Sequence, residues 1–273
     1  MFFSNPSLTP YKAVIESSIR SFCARISQKK LEKYLMLHYL FHINRIIQRN
    51  FTMHIIEKNK YNQYLSALLN GKKSLCATIV NYTKEKSPSI KELYTQLFQE
   101  SLYEVGRLWE LNQISVAVEH MATAITEGLM NIVYLEMAHT KKKGLRSIIA
   151  STQNEYHQIG AKMVADVFEL NGWDTWYLGA NTPTMELIRL ADEINPHVIA
   201  LSLSVYFNLA ELSKMIDTIR KKNVRCSIII GGQAFKHGNG TTFANQFFDV
   251  SYIESLDHLE MFINSIKIEQ TNE

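Results

Sequence analysis

The sequence predicts an α + α/β fold, in which an N-terminal helical bundle is followed by a domain built on a five-stranded parallel sheet. From about residue 9 to residue 139, apolar residues recur at helical spacing, and glycine and proline are scarce. From Leu145 onward, short β-rich apolar segments alternate with helical segments. This alternation indicates βαβ crossovers and therefore parallel strands. A charged stretch at 140–144 separates the two halves.

The helical half divides at short polar or glycine-containing segments. Breaks are predicted at Ser27-Gln28, 50–52, Gly71, Ser87-Pro88 and Asn112-Gln113. We expect a helical extension over residues 1–58, followed by a four-helix bundle over residues 59–140. The bundle is expected to cover the sheet domain as a cap.

The second half carries five segments with the composition of buried strands. They cover residues 146–152, 174–178, 197–205, 225–230 and 249–253, within a domain predicted over residues 145–268. A five-stranded parallel sheet of this size commonly has the flavodoxin-like (Rossmann-like) strand order 2-1-3-4-5. Ligands of such sheets bind beyond the carboxyl ends of strands 1 and 3, so functional residues are expected there.

The composition limits the classes of protein to which the chain could belong. The 273 residues are 46% hydrophobic and 20% charged, which suffices for two well-buried domains, and three widely spaced cysteines fit a reducing cytoplasm. The N-terminus lacks a signal peptide, and no apolar run reaches membrane-spanning length. The formal net charge of +3 is a weak excess, so direct nucleic-acid binding is not expected. Because no activated serine or cysteine nucleophile is recognisable, the chain is predicted not to be an enzyme.

The loop after strand 1 contains the strongest candidate site. It reads Asn-Glu-Tyr-His-Gln-Ile-Gly over residues 154–160. A neutral imidazole binds a metal when its other ring nitrogen is held by a partner, and Glu155 is placed to hold His157 in this way. Gly160 allows a bulky planar ligand to approach the backbone. The alternative for His157 is an ordinary loop or helix-capping role.

Small residues follow the next strands of the sheet. Ser202 and Ser204 occur at the end of strand 3, and Gly231 and Gly232 at the end of strand 4. On one edge of one sheet these four residues favour a deep ligand slot, whereas separately they fit strand-end capping and an ordinary turn. A dinucleotide is not indicated, because the Gly-x-Gly-x-x-Gly spacing after strand 1 is missing.

Together these motifs resemble the cobalamin-binding domain family over roughly residues 145–268. The matching features are Glu155-x-His157-x-x-Gly160, Gly172-Trp173, the 178–183 segment, the strand 3 serines and the glycine pair. The resemblance implies that His157 replaces the cofactor's own benzimidazole as the lower axial ligand of cobalt, with Glu155 as its partner. It also implies a channel for the nucleotide tail that is lined by Gly160, Ser202, Ser204, Gly231 and Gly232. Many members have aspartate in place of Glu155, which keeps the acceptor.

A tryptophan followed by a Glu-His pair marks the helical half. On one continuous helix ten residues advance about 1000°, which leaves Trp109 and Glu119 roughly 80° apart around the axis. The break predicted after Trp109, with Ser115 as the N-cap of the next helix, is therefore needed to bring these side chains and His120 to one ligand. The alternatives are a core aromatic for Trp109 and an exposed polar pair for Glu119 and His120.

This spacing resembles that of the adenosylcobalamin photoreceptors, the light-sensing relatives of the CarH transcription regulators. The resemblance implies that Trp109 shields the adenosyl group of bound adenosylcobalamin, with Glu119 and His120 beside it. Breakage of the cobalt–carbon bond by light would then change the conformation or the assembly of a homo-oligomer, a dimer or a tetramer. Two features depart from the pattern. Glu110 stands where those receptors have a histidine that captures the photoproduct, and residues 1–60 show no recognition helix of a DNA-binding head.

A member of this class without a DNA-binding head also resembles the photocobilins, in which a bilin accompanies the cobalamin. Aromatic residues of the N-terminal helices, with Arg45 and Arg49 for the propionates, would then hold biliverdin. The same residues would equally serve a dimer interface, so both alternatives stay open.

Three functions are therefore considered. The first is a cytoplasmic light sensor that binds adenosylcobalamin between the helical cap and the α/β domain, with an unidentified downstream partner. The alternative is a corrinoid methyl carrier of a methyltransferase system, which shares His157 and the slot but has less need of a shielding tryptophan. The third is a DNA-binding repressor, and the missing head argues against it.

Overall fold

The computed structural model describes residues 56–86, 89–134, 140–236 and 238–266. Several predictions fall outside these ranges: nearly all of the extension 1–58, the bilin-binding residues Arg45 and Arg49, and the break at Ser87-Pro88. The predicted domain boundaries also stay predictions. Residues 56–134 are called the helical part below, and residues 140–266 the α/β part.

Four helical runs form the helical part. They are α1 (Lys58–Leu69), α2 (Lys73–Lys86), a continuous run of α3 (Ile90–Leu93), a π-helical segment (Tyr94–Gln99) and α4 (Glu100–Glu110), and finally α5 (Val116–Tyr134). Two of the predicted breaks are turns with left-handed backbone, at Gly71 (φ 66°) and Asn112 (φ 55°). Glycine and asparagine tolerate this conformation better than other residues, which is why the helices end there.

Serine side chains begin two of these helices. The Ser89 hydroxyl accepts the Glu92 backbone N–H at 3.2 Å, before the run that starts with α3. The Ser115 hydroxyl accepts the Val118 N–H at a longer 3.4 Å, immediately before α5. An N-cap of this kind satisfies a backbone donor that has no partner within the helix. The predicted capping role of Ser115 is therefore confirmed.

The α/β part is built on five parallel strands. They are β1 (Arg146–Ser151), β2 (Asp174–Gly179), β3 (Val198–Ser202), β4 (Ser227–Gly231) and β5 (Val250–Tyr252), in the order β2-β1-β3-β4-β5. The predicted fold class and strand order are confirmed. Strand β3 is shorter than predicted, because the chain turns away after Ser202 and the N–H groups of Ser204 and Val205 bond to the Glu155 carboxylate instead of to a strand.

Helices cover both faces of the sheet. They are α6 (Ile159–Leu170), α7 (Thr184–Ile194), α8 (Leu209–Lys221), α9 (Gly240–Ala244) and α10 (Leu256–Ser265). The apolar core on the α6 and α10 face also includes buried residues of the helical part, among them Tyr94 and Phe98. A second core lies against α7 and α8. None of the helices in the described ranges is long and apolar enough to cross a membrane.

Polar contacts also join the helical part to the α/β part. The Lys91 ammonium lies 2.6 Å from an Asp257 oxygen and 2.5 Å from a Glu260 oxygen on α10. The Tyr94 hydroxyl donates to Asp166 on α6 at 2.7 Å. The run from α3 to α4 is therefore attached to the helices of one sheet face by charge and hydrogen bonding as well as by apolar packing.

Candidate functional site

His157 lies in the loop between β1 and α6, at the carboxyl edge of the sheet. Because β1 pairs with β2 on one side and β3 on the other, this loop stands at the point where the strand order reverses. Ligands of open α/β sheets bind at this point. The His157 side chain is 59% exposed, so it is available to a ligand that lies above the edge.

The Glu155 carboxylate is fully buried and accepts four hydrogen bonds. Its Oε1 accepts the His157 backbone N–H at 3.0 Å and lies 2.6 Å from the His157 Nδ1, while its Oε2 accepts the N–H groups of Ser204 and Val205 at 2.9 Å each. Burial raises the pKa of Glu155, but these hydrogen bonds outweigh it and lower the pKa to about 2. Glu155 is therefore a buried anion that ties the loop after β1 to the loop after β3.

The imidazole of His157 is oriented by this anion. The hydrogen bond from Nδ1 to Glu155 raises the pKa of His157, partial burial opposes the rise, and the charges of Glu155 and Glu119 add to it. Among the described residues, the Nε2 of His157 has no hydrogen-bond partner. In the neutral ring, Nδ1 carries the hydrogen and Nε2 carries the lone pair, which is the arrangement of a histidine that binds a metal.

Three asparagines hold the loop in place, and the sequence did not single them out for this role. The Asn154 backbone N–H donates to the Asn181 side chain at 2.9 Å, and the Asn208 side chain donates to the Asn154 carbonyl at 3.1 Å. Asn154 and Asn181 have left-handed backbones with φ of 66° and 47°. Asparagine is among the few residues that adopt this conformation readily, and that preference was the available signal.

Small residues line up beside this loop. Ser151, Ser202 and Gly231 are paired in register at the ends of β1, β3 and β4. A Cβ at Gly160 would lie 3.7 Å from the Ser202 hydroxyl, in ordinary van der Waals contact. The glycine therefore leaves a space of about one carbon atom beside Ser202. The hydroxyl of Thr152, which follows β1, is buried without a hydrogen-bond partner in the described part of the chain. A buried polar atom of this kind usually has a partner, and a ligand could supply it.

Gly231 and Gly232 have a structural reason to be glycine. A Cβ at Gly231 would lie 2.9 Å from the Ile253 carbonyl oxygen, and a Cβ at Gly232 would lie 2.2 Å from the Leu203 carbonyl oxygen. Gly232 also has a φ of 114°. The chain's own backbone therefore requires both glycines, and their predicted place along a cofactor channel stays a prediction.

The three residues predicted above the loop lie on α4 and α5, and their predicted place around a cofactor stays a prediction. Trp109 lies at the end of α4 and is 47% exposed. Glu119 is close enough to His157 for its charge to raise the imidazole pKa. His120 extends into solvent with 75% of its side chain exposed and lies 3.5 Å from Glu119. Adjacent residues on a helix point about 100° apart, so Glu119 and His120 do not share one direction.

One face of α5 is acidic where it approaches the loop. Glu119, Thr123 and Glu127 are four residues apart and therefore lie on the same face. The Thr123 hydroxyl donates to Glu119 at 3.0 Å, and the Gln158 side chain donates to Glu127 at 3.0 Å. The second bond links the helical part directly to the residue that follows His157. Sequence reasoning missed Glu127 because it lies outside the Trp-x9-Glu-His pattern.

Replacement of Glu155 with glutamine is expected to flatten the acid dependence of stability. The pKa of this group falls from 4.5 to about 2 on folding, so the charge stabilises the folded state above about pH 4.5 and this contribution disappears as the pH falls towards 2. Between pH 7 and pH 2 the wild type should lose about 3 kcal/mol more unfolding free energy than the variant.

Urea unfolding of the cobalamin-free chain at several pH values measures this difference. Glu186→Gln is the matched control, because Glu186 is an exposed carboxylate paired with Arg189. Parallel curves for the wild type and Glu155→Gln would contradict the expectation.

Both halves of the described chain match family models. Residues 145–262 match the family described as "B12 binding domain", and residues 61–134 match a second family with the same description. The first match covers the loop that bears His157 and the sheet, and the second covers α1 to α5. Both matches concern cobalamin, so the ligand indicated by the His157 loop and by the family models is the same.

Curated relatives are corrinoid proteins. Dimethylamine corrinoid protein 2 of Methanosarcina acetivorans is 24% identical over 180 residues, which cover 64% of this chain and 83% of that protein. Trimethylamine corrinoid protein 1 of the same organism is 26% identical over 149 residues, which cover 52% of this chain and 68% of that protein. The structure of the Methanosarcina barkeri monomethylamine corrinoid protein has the same fold, with a TM-score of 0.66, 13% identity and coverage of 77% of this chain and 100% of that chain.

The prediction of a light sensor is wrong. The relatives found are methylamine corrinoid proteins, and none of those reported above is a photoreceptor. The error came from giving the Trp-x9-Glu-His spacing more weight than the loop that bears His157, and the predicted places of Trp109, Glu119 and His120 around a cofactor stay predictions. Cobalamin binding itself was predicted correctly.

Proposed function

We propose that this cobalamin-binding protein carries a methyl group between two methyltransferases. The observation that carries the proposal is the half-exposed His157 imidazole at the edge of the sheet, which the buried Glu155 anion holds through Nδ1. The names of the relatives, dimethylamine and trimethylamine corrinoid proteins, support a role in methyl transfer. The adenosyl form and the bilin belonged to the light-sensor interpretation and are not part of this proposal.

The residues at the sheet edge fit a cobalamin. His157 would hold the cobalt through its Nε2, and Glu155 would fix its tautomer. The nucleotide tail would pass beside Gly160 and Ser202, and the buried Thr152 hydroxyl, which has no partner among the described residues, would offer it a hydrogen bond. When bound, the cobalt supplies the atom that accepts the methyl group and gives it up again.

The chain's own contribution is to hold and orient. Glu155 keeps its negative charge at neutral pH, because its pKa is about 2. This charge lies against Nδ1 of His157, so it would hold the imidazole in the tautomer whose Nε2 is free to bind the cobalt. In this proposal the chain is a carrier served by two enzymes and is not itself an enzyme.

The test follows a labelled methyl group. The chain is loaded with isotopically labelled methylcobalamin and incubated with a cobalamin-dependent methyltransferase and a thiol acceptor. We expect transfer of the label to the thiol, together with comparable affinities for methylcobalamin and adenosylcobalamin. Retention of the label, under conditions in which the enzyme consumes free methylcobalamin, would contradict the proposal.

Replacement of Gly160 with alanine is expected to weaken cobalamin binding without weakening the fold. The new methyl group has room in the cobalamin-free chain, and alanine is the better helix former, so the unfolding free energy should stay equal or rise by up to about 1 kcal/mol. Overpacking against the bound tail should cost about 1–3 kcal/mol of binding free energy. That cost corresponds to a roughly five- to 150-fold loss of affinity.

Equilibrium binding of cobalamin and urea unfolding measure the two effects separately. Gly128→Ala is the control, since a Cβ at this α5 position also has open space, and it should leave the affinity unchanged. Wild-type affinity in Gly160→Ala would show that the tail does not pass this residue.

A further inference from the structure

A buried charged network lies between the helical part and α6, away from the exposed edge. Asp166 is 3% exposed and accepts a hydrogen bond from the Tyr94 hydroxyl at 2.7 Å. The Lys162 ammonium, one turn earlier on α6, lies 3.4 Å from the other Asp166 oxygen. Tyr94 is fully buried and belongs to the π-helical segment. The holding role proposed for Glu155 and His157 makes no use of these residues.

The network continues towards His157. The Lys162 ammonium lies 6.0 Å from the centre of the Tyr177 ring and 5.5 Å from that of Tyr134. The Tyr177 hydroxyl donates to the Gln158 carbonyl at 3.1 Å, and the Lys162 backbone N–H donates to the same carbonyl at 2.9 Å. A continuous series of contacts therefore runs from the helical part to the residue that follows His157.

A buried ion pair is a poor source of net stability. Apolar residues of similar volume often stabilise a protein equally well or better, because two charges must be removed from water. The Lys162–Asp166 pair lies within α6, so a shift of α6 against the helical part does not separate it. The contact that resists such a shift is the hydrogen bond from Tyr94, because breaking it leaves the buried Asp166 carboxylate without its donor from the helical part. This hydrogen bond therefore favours one position of α6 against the helical part, and α6 begins two residues after His157.

We propose that four residues form a positioning network, which sets the position of the His157 imidazole relative to the cobalt. They are Tyr94, Asp166, Lys162 and Tyr177. The inference rests on the proposed function, because it takes His157 to be the axial ligand. Asp166 fixes the middle of α6 through Tyr94, and Tyr177 fixes its first turn through the Gln158 carbonyl. These four residues act on the metal only through the position of His157.

Two single-atom removals test the network. Tyr94→Phe removes the hydroxyl that reaches Asp166, and Tyr177→Phe removes the hydroxyl that reaches Gln158, while both rings remain. Each variant is produced with nitrogen-15-labelled histidine, loaded with cobalamin and reduced to the cobalt(II) form. In its electron paramagnetic resonance spectrum, nitrogen-15 from histidine splits each cobalt line into two, whereas nitrogen-14 of the cofactor's own benzimidazole splits it into three, so the two patterns together give the fraction of cobalt bound to histidine. Loss of a residue that directly orients a metal ligand typically costs 10–100-fold, so we expect about a three- to tenfold fall in the ratio of bound to unbound histidine for these more distant groups.

Lys91→Gln is the matched control. Lys91 also joins the helical part to the α/β part, but through Asp257 and Glu260 on α10 and not through α6. This variant should unfold at lower urea concentration than the wild type and keep the wild-type ratio of bound to unbound histidine.

The outcomes separate the network from the proposed function. Absence of the nitrogen-15 splitting from histidine in the wild type would overturn both, because His157 would then not bind cobalt. Splitting that is unchanged in Tyr94→Phe and Tyr177→Phe would overturn only the network. An equal fall in Lys91→Gln would also overturn the network, since loosening any contact between the two parts would then suffice. A fall confined to the two tyrosine variants supports it.

Discussion

Replacing His157 with alanine is expected to abolish histidine coordination of cobalt and to lower cobalamin affinity by at least about 100-fold, since loss of a supporting partner alone costs 10–100-fold at metal sites. The imidazole is the side chain that the buried Glu155 anion orients at the exposed edge of the sheet. Alanine leaves Glu155 with its three backbone donors, so the loop should keep its shape. The change should therefore act on the metal and not on the fold.

Equilibrium binding and the cobalt(II) paramagnetic resonance spectrum measure this effect. His258→Ala is the control, because His258 is a half-exposed histidine on α10, and it should bind cobalamin as the wild type does. Added nitrogen-15-labelled imidazole should restore the nitrogen-15 splitting in His157→Ala, since the space beside Glu155 is then vacant. Wild-type affinity in His157→Ala would remove the basis of the proposed function.

Replacing Gly232 with alanine is expected to destabilise the fold by about 4 kcal/mol, because backbone strain of about 1–3 kcal/mol adds to a direct clash. The new Cβ would lie 2.2 Å from the Leu203 carbonyl oxygen, a backbone atom that cannot rotate away as a side chain can. Relief of the clash requires the loops after β3 and β4 to separate. Glu155 is bonded to the first of these loops, so cobalamin binding should also weaken.

The Gly238→Ala variant separates the free-energy cost of backbone strain from the cost of the clash with Leu203. Gly238 has a similar φ of 102°, but a Cβ there meets no atom within 4 Å. This variant should therefore lose only about 1–2 kcal/mol, the cost of a left-handed backbone. Urea unfolding of the cobalamin-free variants gives both values. Equal losses in the two variants would show that the Leu203 contact is relieved without cost.

Features that are local in the sequence were predicted well. The strand order followed from the alternation of strands and helices, which leaves few arrangements for a parallel sheet. Glu155 and His157 are two residues apart in one loop, so their contact required only that the loop fold back on itself. Their partners in the loop after β3 were harder to foresee, because backbone N–H groups of Ser204 and Val205 carry no sequence signature.

Features that depend on how the two parts pack were not predicted. Tyr94 and Asp166 are 72 residues apart, and the sequence of each helix alone gives no reason to pair them. The spacing of Trp109, Glu119 and His120 has a related limit, because the break between α4 and α5 leaves the angle between these side chains to the packing of the two helices. That packing brings Glu119 and Glu127 towards the loop, and the places of Trp109 and His120 around a cofactor stay predictions.

The apolar core shared by the helical part and the α6 face has a consequence for how the molecule melts. Tyr94 and Phe98 pack in the same cluster as Val167 and Phe168, so neither part closes its hydrophobic interior alone. A chain truncated to the α/β part would expose this hydrophobic surface to water, and we expect it to aggregate. On heating, the helical part and the α/β part should accordingly unfold together in one calorimetric transition, in place of two successive ones.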